Sequence, residues 1–254
     1  DLNNGSSSTA NSSFGKSPNI DPNNQMVGRS IYETEHRLMA TIKSTHYFFG
    51  GDKPTTFSLF AERRSGYPIS AVFETQTKSV GSYQTQAFGF DDGLQDDDSN
   101  ILAYVPNGIS DPLVCWVSCA APDMAFAADA MRVIAALDLS PGIAAKGTTE
   151  APWNTQMDFK VTQILPGFRA EDEFVITLGV QNILNLLNDD WGTVRGRDYT
   201  GTVAIFDVEM VDNFSKYVLS PGRDFRVDDP KRIYTSYNAS LWRAQLGFKY
   251  NFNF

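Results

Sequence analysis

Two cysteines and two histidines are all that the 254 residues offer as thiolate and imidazole ligands. A structural zinc site draws its four ligands mainly from those types, so the chain gives little support for one. Apolar runs are short. A membrane-spanning helix needs about 20 consecutive apolar residues, and the best stretch, residues 124–139, is broken by Asp129, Arg132 and Asp138. Basic charge is scarce: 21 Lys and Arg stand against 30 Asp and Glu, a net charge of -9 and a pI of about 4.7. That speaks against a nucleic-acid partner, which wants a basic face. No glycine-rich phosphate loop ending in Gly-Lys-Ser/Thr, no His-Glu-x-x-His and no serine-nucleophile motif occurs, so no catalytic residue, metal or cofactor is expected. The front carries no secretory signal, and a start at Asp1 rather than Met reads as a mature form or a fragment.

None of these absences excludes a membrane β-barrel. Such a barrel keeps its charges in the lumen and the loops, so a mean hydropathy of -0.27 fits it as well as it fits a soluble protein. Aromatics make up 13% of the chain, with 18 Phe and 10 Tyr. Interfacial girdles are one reason for such enrichment, and an ordinary β-sandwich core is another. Cys115 and Cys119 are four residues apart. A local disulfide in an oxidising compartment and two free thiols both remain open, because geometry decides between them.

Residues 1–30 open on Asn, Ser, Gly and Pro with few apolar side chains and read as a loop or disordered end. Alternation then begins. Leu38, Ala40, Ile42 and Phe48 share one parity, and Arg37, Thr41, Lys43 and Thr45 the other, which predicts a strand with one apolar face. Gly50, Gly51, Asp52, Lys53 and Pro54 make a turn into a second strand, where Phe57, Leu59 and Ala61 oppose Thr56, Ser58 and Glu62. Residues at about 65–152 read as a long loop holding the acidic run Asp91, Asp92, Asp96, Asp97 and Asp98. Within it, a short helix is predicted from an N-cap at Asp123 to a stop by Pro141 and Gly142, with possible strand ends at residues 71–73 and 101–105.

Further strands are expected where Met157, Phe159 and Val161 alternate, and again at Phe174, Ile176, Leu178 and Val180. Another is expected where Ala204, Phe206, Val208 and Met210 oppose Asp207 and Glu209, with a weaker one at residues 216–219. The last strand has the clearest pattern. Trp242, Ala244, Leu246, Phe248, Tyr250, Phe252 and Phe254 share one parity, opposed by Arg243, Gln245, Gly247, Lys249, Asn251 and Asn253. Connections alternate too, short after the first and third strong strands and long after the second and fourth. Outer-membrane barrels pair short periplasmic turns with long extracellular loops in this way.

Together these features predict an all-β, antiparallel, up-and-down transmembrane barrel with long extracellular loops, present in part as about seven or more strands of a larger barrel. Arg37, Lys43, Asp158, Lys160, Asp207, Glu209, Arg243 and Lys249 are expected to face the lumen or a plug, and the even-numbered residues of the last strand to face outer-membrane lipid.

The ending from Ser240 through Leu241-Trp242-Arg243-Ala244-Gln245-Leu246-Gly247-Phe248-Lys249-Tyr250-Asn251 to Phe252 resembles the closing strand of TonB-dependent receptors. Val180-Gln181-Asn182-Ile183-Leu184-Asn185-Leu186-Leu187-Asn188 resembles their late-barrel motif. Asp190-Trp191-Gly192, Glu35-His36-Arg37-Leu38 and Thr55-Thr56-Phe57-Ser58-Leu59-Phe60 leading to Arg64-Ser65-Gly66 are similar to the Oar-like branch of that family. The resemblance spans roughly residues 29–254, so that residues 31–254 read as the C-terminal part of a receptor barrel. It implies a barrel of about 22 strands with a plugged lumen and energised uptake through a TonB-contacting box. The implied partners are the plug and remaining strands, TonB and an extracellular ligand that no motif identifies. Plug and box are both missing from this chain, which corresponds to about a third of such a barrel.

Three other readings share parts of this pattern. A structural or adhesive outer-membrane barrel without transport has the same strands. A secreted carbohydrate-binding β-sandwich would pack its apolar faces into a dry core. A barrel enzyme would need His36 or His46 beside a serine and an acid; an interfacial or loop-proximal histidine is the plainer reading. The acidic run invites calcium but lacks regular ligand spacing and reads better as a solvated loop. Loops near Trp116, Trp153 and Trp191 are the places to look for ligand contacts, though no residue is singled out.

Overall fold

The structure is a computed structural model that describes residues 18–20, 26–49, 51–74, 101–169, 171–197, 201–212 and 215–252. In chain order the strands are β1 (Arg37–His46), β2 (Thr55–Arg64), β3 (Pro68–Glu74), β4 (Tyr104–Val105), β5 (Val114–Trp116), β6 (Gly142–Ile143), β7 (Thr149–Glu150), β8 (Asn154–Pro166), β9 (Glu173–Gln181), β10 (Arg195–Gly196), β11 (Thr202–Val211), β12 (Lys216–Pro221), β13 (Tyr234–Thr235) and β14 (Arg243–Asn251). The helices are α1 (Met124–Ala136), α2 (Ile183–Leu187) and α3 (Tyr237–Ser240). The chain is mostly β, and no helix among the described residues is long and apolar enough to cross a membrane. It divides into two units. One comprises Thr34–Gly66, Pro152–Gly196 and Thr235–Phe254, and the other Asp1–Glu33, Tyr67–Ala151 and Arg197–Tyr234.

The first unit is a five-stranded sheet in the order β1-β2-β8-β9-β14, antiparallel throughout. Its strands are 9 to 13 residues long. Residues directly opposite each other in a ladder point to the same side, so the register fixes both faces. Ile42 pairs with Leu59 and Leu59 with Phe159; Phe159 pairs with Val180 and Val180 with Ala244. Two residues along, Phe57, Val161, Leu178 and Leu246 continue the same side. The face is apolar from β1 to β14, and much of it is bare: Leu38 is 63% exposed, Ile42 63%, Leu246 58% and Phe248 63%. The opposite face carries Arg37, Lys43, Ser58, Glu62, Asp158, Lys160, Thr177, Gln181, Arg243 and Lys249.

The short connections, β1 to β2 and β8 to β9, lie at one end of this sheet. The other end, where Arg37, Arg64, Asn154, Gln181 and Arg243 fall, is where the chain enters β1, passes from β2 to β8 and passes from β9 to β14.

The second unit holds a mixed sheet in the order β5-β12-β11-β3-β7. Here β11 runs parallel to β3 and antiparallel to β12, while β5 runs parallel to β12. Residues at about 65–152, expected as a long loop, supply β3 to β7 and α1 to this unit. The strand at residues 204–210 and the weaker one at 216–219 belong here as β11 and β12, so the antiparallel sheet has five strands and not about seven. The physical reason is burial on both sides. Ile69, Ala71, Val72 and Phe73 in β3 and Val203, Ala204, Ile205 and Phe206 in β11 are all buried, and such strands read as short apolar runs without alternation.

Helix α1 covers this core. Phe126, Ala127, Ala130, Val133 and Ile134 are buried at helical spacing, and Asp123 caps the N-terminus by accepting from the amides of Ala125 and Phe126 at 3.0 Å each. The helix stops where Asp138 takes a left-handed φ of 55°. Gly222 lies so close to β11 that a Cβ there would come within 2.7 Å of the Ala204 carbonyl oxygen. Cys115 and Cys119, left open by the sequence, are disulfide-bonded.

Candidate functional site

The polar face of the five-stranded sheet carries a recess. At its loop end, a concavity of about 340 Å³ is lined by Phe60, Glu62, Gln156, Asp158, Gln181, Asn182 and Arg243, with Asn238, Ala239 and Leu241 from the α3 segment. A neighbouring hollow of about 540 Å³ extends along the same side past Thr41, Ser58, Lys160 and Gln245.

Asparagines hold the loop that shapes this recess. Asn182, at a left-handed φ of 50°, ends β9 and turns the chain into α2. Its backbone amide donates to Asp158 Oδ1 at 2.8 Å, and its Nδ2 donates to the carbonyls of Gly192 at 2.9 Å and Ser240 at 2.5 Å. Gly192 has no room for a side chain against Asn182. Asn185 Nδ2 donates to the Asp189 carbonyl at 2.9 Å and the Trp191 carbonyl at 3.2 Å. Asn154 brackets Arg195, accepting from its amide at 2.6 Å and donating to its carbonyl at 2.9 Å. Ser240 Oγ donates to the Ser236 carbonyl at 2.6 Å and accepts from the Val194 amide at 2.9 Å. Short polar side chains thus satisfy the backbone groups of an irregular segment that would otherwise go unpaired.

Charge is laid out unevenly on this face. Arg37 Nη2 lies 2.7 Å from Glu62 Oε2, with Arg64 Nε 4.0 Å from the same carboxylate. Gln156 Nε2 donates to the Ala239 carbonyl at 3.1 Å, and Arg243 Nη2 to that of Asn238 at 3.4 Å. Lys43 and Lys160 flank Ser58 in one row across three strands. Cations therefore outnumber acids along a wall of an otherwise acidic chain. The 340 Å³ concavity itself offers donors, acceptors and charge of both signs, with Glu62 and Asp158 beside Arg243.

Of the residues expected to line a lumen, Arg37, Lys43, Asp158, Lys160, Arg243 and Lys249 do share this face. Asp207 and Glu209 do not. Both lie on β11 in the other unit, where Asp207 is buried with the Ser220 hydroxyl 3.4 Å away and Glu209 is exposed. Their alternation with apolar neighbours belongs to the last turns of a strand whose first half is buried on both sides. Gln156 and Asn182 were not anticipated at the recess. Parity with Asp158 marks Gln156, but Asn182 lies beyond the strand, where alternation carries no information.

The two histidines are apart. His46 Nε2 is 2.6 Å from Ser44 Oγ, with Phe48 and Phe57 as ring neighbours, and His36 stacks on Trp153 with Glu35 at 3.4 Å. Among the described residues neither ring joins both a serine hydroxyl and a carboxylate. Trp116 is a core residue whose indole N–H donates to the Ile109 carbonyl at 2.9 Å, whereas Trp153 and Trp191 are exposed. Among the described residues no group of three His, Cys, Asp or Glu side chains is placed to hold a metal. The acidic run Asp91 to Asp98 lies outside the described residues.

The other unit holds a second polar centre. Arg197 Nη2 and Asp224 Oδ2 pair at 2.5 Å with both side chains 4% exposed. The same carboxylate accepts from the Ala204 amide at 3.1 Å, and Arg232 Nε lies 3.6 Å from Oδ1. Tyr234 takes the Arg197 and Arg232 guanidiniums against its ring. Nearby in sequence to α1, Asp111 accepts from the Tyr104 hydroxyl at 2.9 Å and from the amides of Asn107 at 2.7 Å and Leu113 at 2.9 Å. Burial alone would raise the Asp111 carboxyl, but these three donors together hold it below its ordinary value. Burial first, then the Asp111 charge, pushes the Tyr104 hydroxyl up to about 12.

Comparison with known protein families, characterised proteins and solved structures finds no match to this chain.

Proposed function

We propose that this chain forms part of the wall of an outer-membrane β-barrel, in a receptor that takes up an extracellular ligand with energy delivered through TonB. One observation carries the membrane part. Five neighbouring antiparallel strands share a continuous, largely uncovered apolar face, and every charged side chain of those strands except Arg63, at the loop-end rim, lies on the other side. In water, such a face would be a large exposed apolar patch that invites aggregation. In a bilayer it is the lipid-facing wall, and strands of 9 to 13 residues meet the length of about 9–11 that a tilted transmembrane strand needs.

The polar face then lines the lumen. The β1 and β14 edges are where further strands pair, since an open edge leaves backbone groups unsatisfied in lipid. The receptor part of the reading rests on the resemblance of the closing strand and of the Val180–Asn188 segment to TonB-dependent receptors, and on the recess that the second of these shapes. The short turns lie on the periplasmic side and the longer connections on the extracellular side, as in barrels generally.

Fractionation of producing cells, followed by uptake assays with and without TonB, tests both parts. The protein is expected in the outer membrane, with uptake of its ligand lost when TonB is removed. Recovery from the periplasm or medium without detergent would contradict the membrane part. Uptake indifferent to TonB would contradict the receptor part alone.

A further inference from the structure

Within the five strands of the antiparallel sheet, the apolar face carries one formally charged side chain, Arg63. It sits in the last rows of the loop end, where Leu38 pairs with Arg63 and Arg63 with Thr155. Arg63 is exposed, and its guanidinium carbon lies 5.2 Å from the centre of the Trp153 ring. His36 stacks on the same ring at 6.0 Å and 12°. Among the described residues no carboxylate lies within ion-pair distance of Arg63, whereas Arg37 and Arg64, its neighbours on the polar face, both approach Glu62.

The opposite end of the sheet is different. Tyr47, Phe48, Phe49 and Phe168 are exposed there, and among the described residues no arginine or lysine stacks on their rings. The two rims of one face are therefore chemically unlike.

We infer that Arg63, backed by Trp153 and His36, binds the phosphate of an anionic lipid headgroup at the loop-end interface of the bilayer; this rests on the membrane reading above. An arginine is costly at the mid-plane of a lipid-facing wall and nearly free at its edge. Tryptophan favours that same level. A planar guanidinium matches phosphate oxygens two at a time, and contact with an aromatic face restrains its plane. Its counter-charge has to come from the surroundings of the face, which at that level are headgroups.

The test is flotation of the full chain with phosphatidylcholine vesicles and with vesicles that also contain phosphatidylglycerol. The wild-type chain is expected to float with both and to prefer the anionic vesicles. Arg63→Gln is expected to lower that preference about fivefold, the worth of one basic side chain at an anionic surface. Arg63→Lys is expected to lower it less, and Arg132→Gln, which removes an exposed arginine from α1, to leave it unchanged. Inorganic phosphate at matched ionic strength is expected not to compete. Equal loss in the Arg63 and Arg132 variants, or no preference in the wild type, would overturn the headgroup site while leaving the membrane reading intact. Displacement by inorganic phosphate would overturn it in favour of a free-anion site. Flotation with neither vesicle would overturn both readings.

Discussion

At the scale of single residues, the α/β unit depends on buried charge. Arg197 and Asp224 are both withdrawn from water and face each other at 2.5 Å. Taking away one partner strands the other, which costs about 3–5 kcal/mol in buried pairs. Asp224→Asn is therefore expected to destabilise this unit severely, read as loss of hydrogen-exchange protection in β11. Arg132→Ala, at an exposed pair with Asp129, is expected to cost less than 1 kcal/mol, roughly, as surface pairs do. Equal effects would show that the Arg197 environment relaxes or hydrates.

Tyr104 and Asp111 give this unit two pH signatures of opposite sense. The Tyr104 hydroxyl is raised to about 12 in the folded state. Folding holds its proton more tightly, so this contribution is complete below pH 10 and is lost as pH climbs towards 12. The Asp111 carboxyl is lowered by its three donors against the opposing effect of burial. Its contribution is present at neutral pH and is lost as pH falls through the lowered value. Ultraviolet titration of the phenols is expected to show a late step in the wild type that moves to lower pH in Asp111→Asn. An unchanged late step would assign it to another tyrosine.

At the scale of elements, one strand and one helix test the two kinds of sequence signal. In β14, Leu246 pairs with Leu178 on the apolar face, and Gln245 pairs with Gly179 on the polar one. Leu246→Arg is expected to cost about 2–4 kcal/mol if that face meets lipid near mid-plane, and Gln245→Arg to be almost neutral. Urea midpoints in vesicles measure both, and equal costs would contradict the assignment of faces. For α1, Asp123→Ala removes the side chain that accepts from the Ala125 and Phe126 amides and is expected to cost about 1 kcal/mol.

These elements also show what the sequence reveals. The five strands of the antiparallel sheet are legible because each has one apolar and one polar face, and period two is a local property. The Asp123 cap is legible for the same reason. The mixed sheet is not. Its β3 and β11 are buried on both sides and run parallel, with Thr202 set opposite Ser70. No local pattern announces a pairing across such a separation, so β11 looks like one more wall strand and residues 65–152 look like a loop. The recess was half legible. Parity placed Asp158, Lys160 and Arg243 together, but it does not describe the turn where Asn182 ties β9 to the α3 segment through Ser240.

At the scale of the molecule, the chain combines an antiparallel sheet with one largely uncovered apolar face and an α/β unit assembled from three separated segments. Residues 67–151 and 197–234 of the α/β unit are inserted where β2 leads to β8 and β9 leads to β14. Both insertions leave the sheet at its loop end. Folding of the α/β unit draws on its own core of Phe73, Trp116, Phe126, Ile205 and Phe206. Each large apolar side chain fully buried there contributes about 1.5–3 kcal/mol. Among the described residues the apolar side of the antiparallel sheet has no comparable core, and its stability therefore depends on the medium that face meets.

Nitroxide scanning of residues 243–251, in the chain reconstituted into phospholipid vesicles, asks that question most directly. Oxygen, which concentrates in lipid, is expected to reach positions 244, 246 and 248, and a water-soluble nickel chelate positions 245, 247 and 249, with a period of two. Even-numbered positions shielded from both reagents would mean that the apolar face packs in a dry protein core, and the membrane-wall account would be wrong.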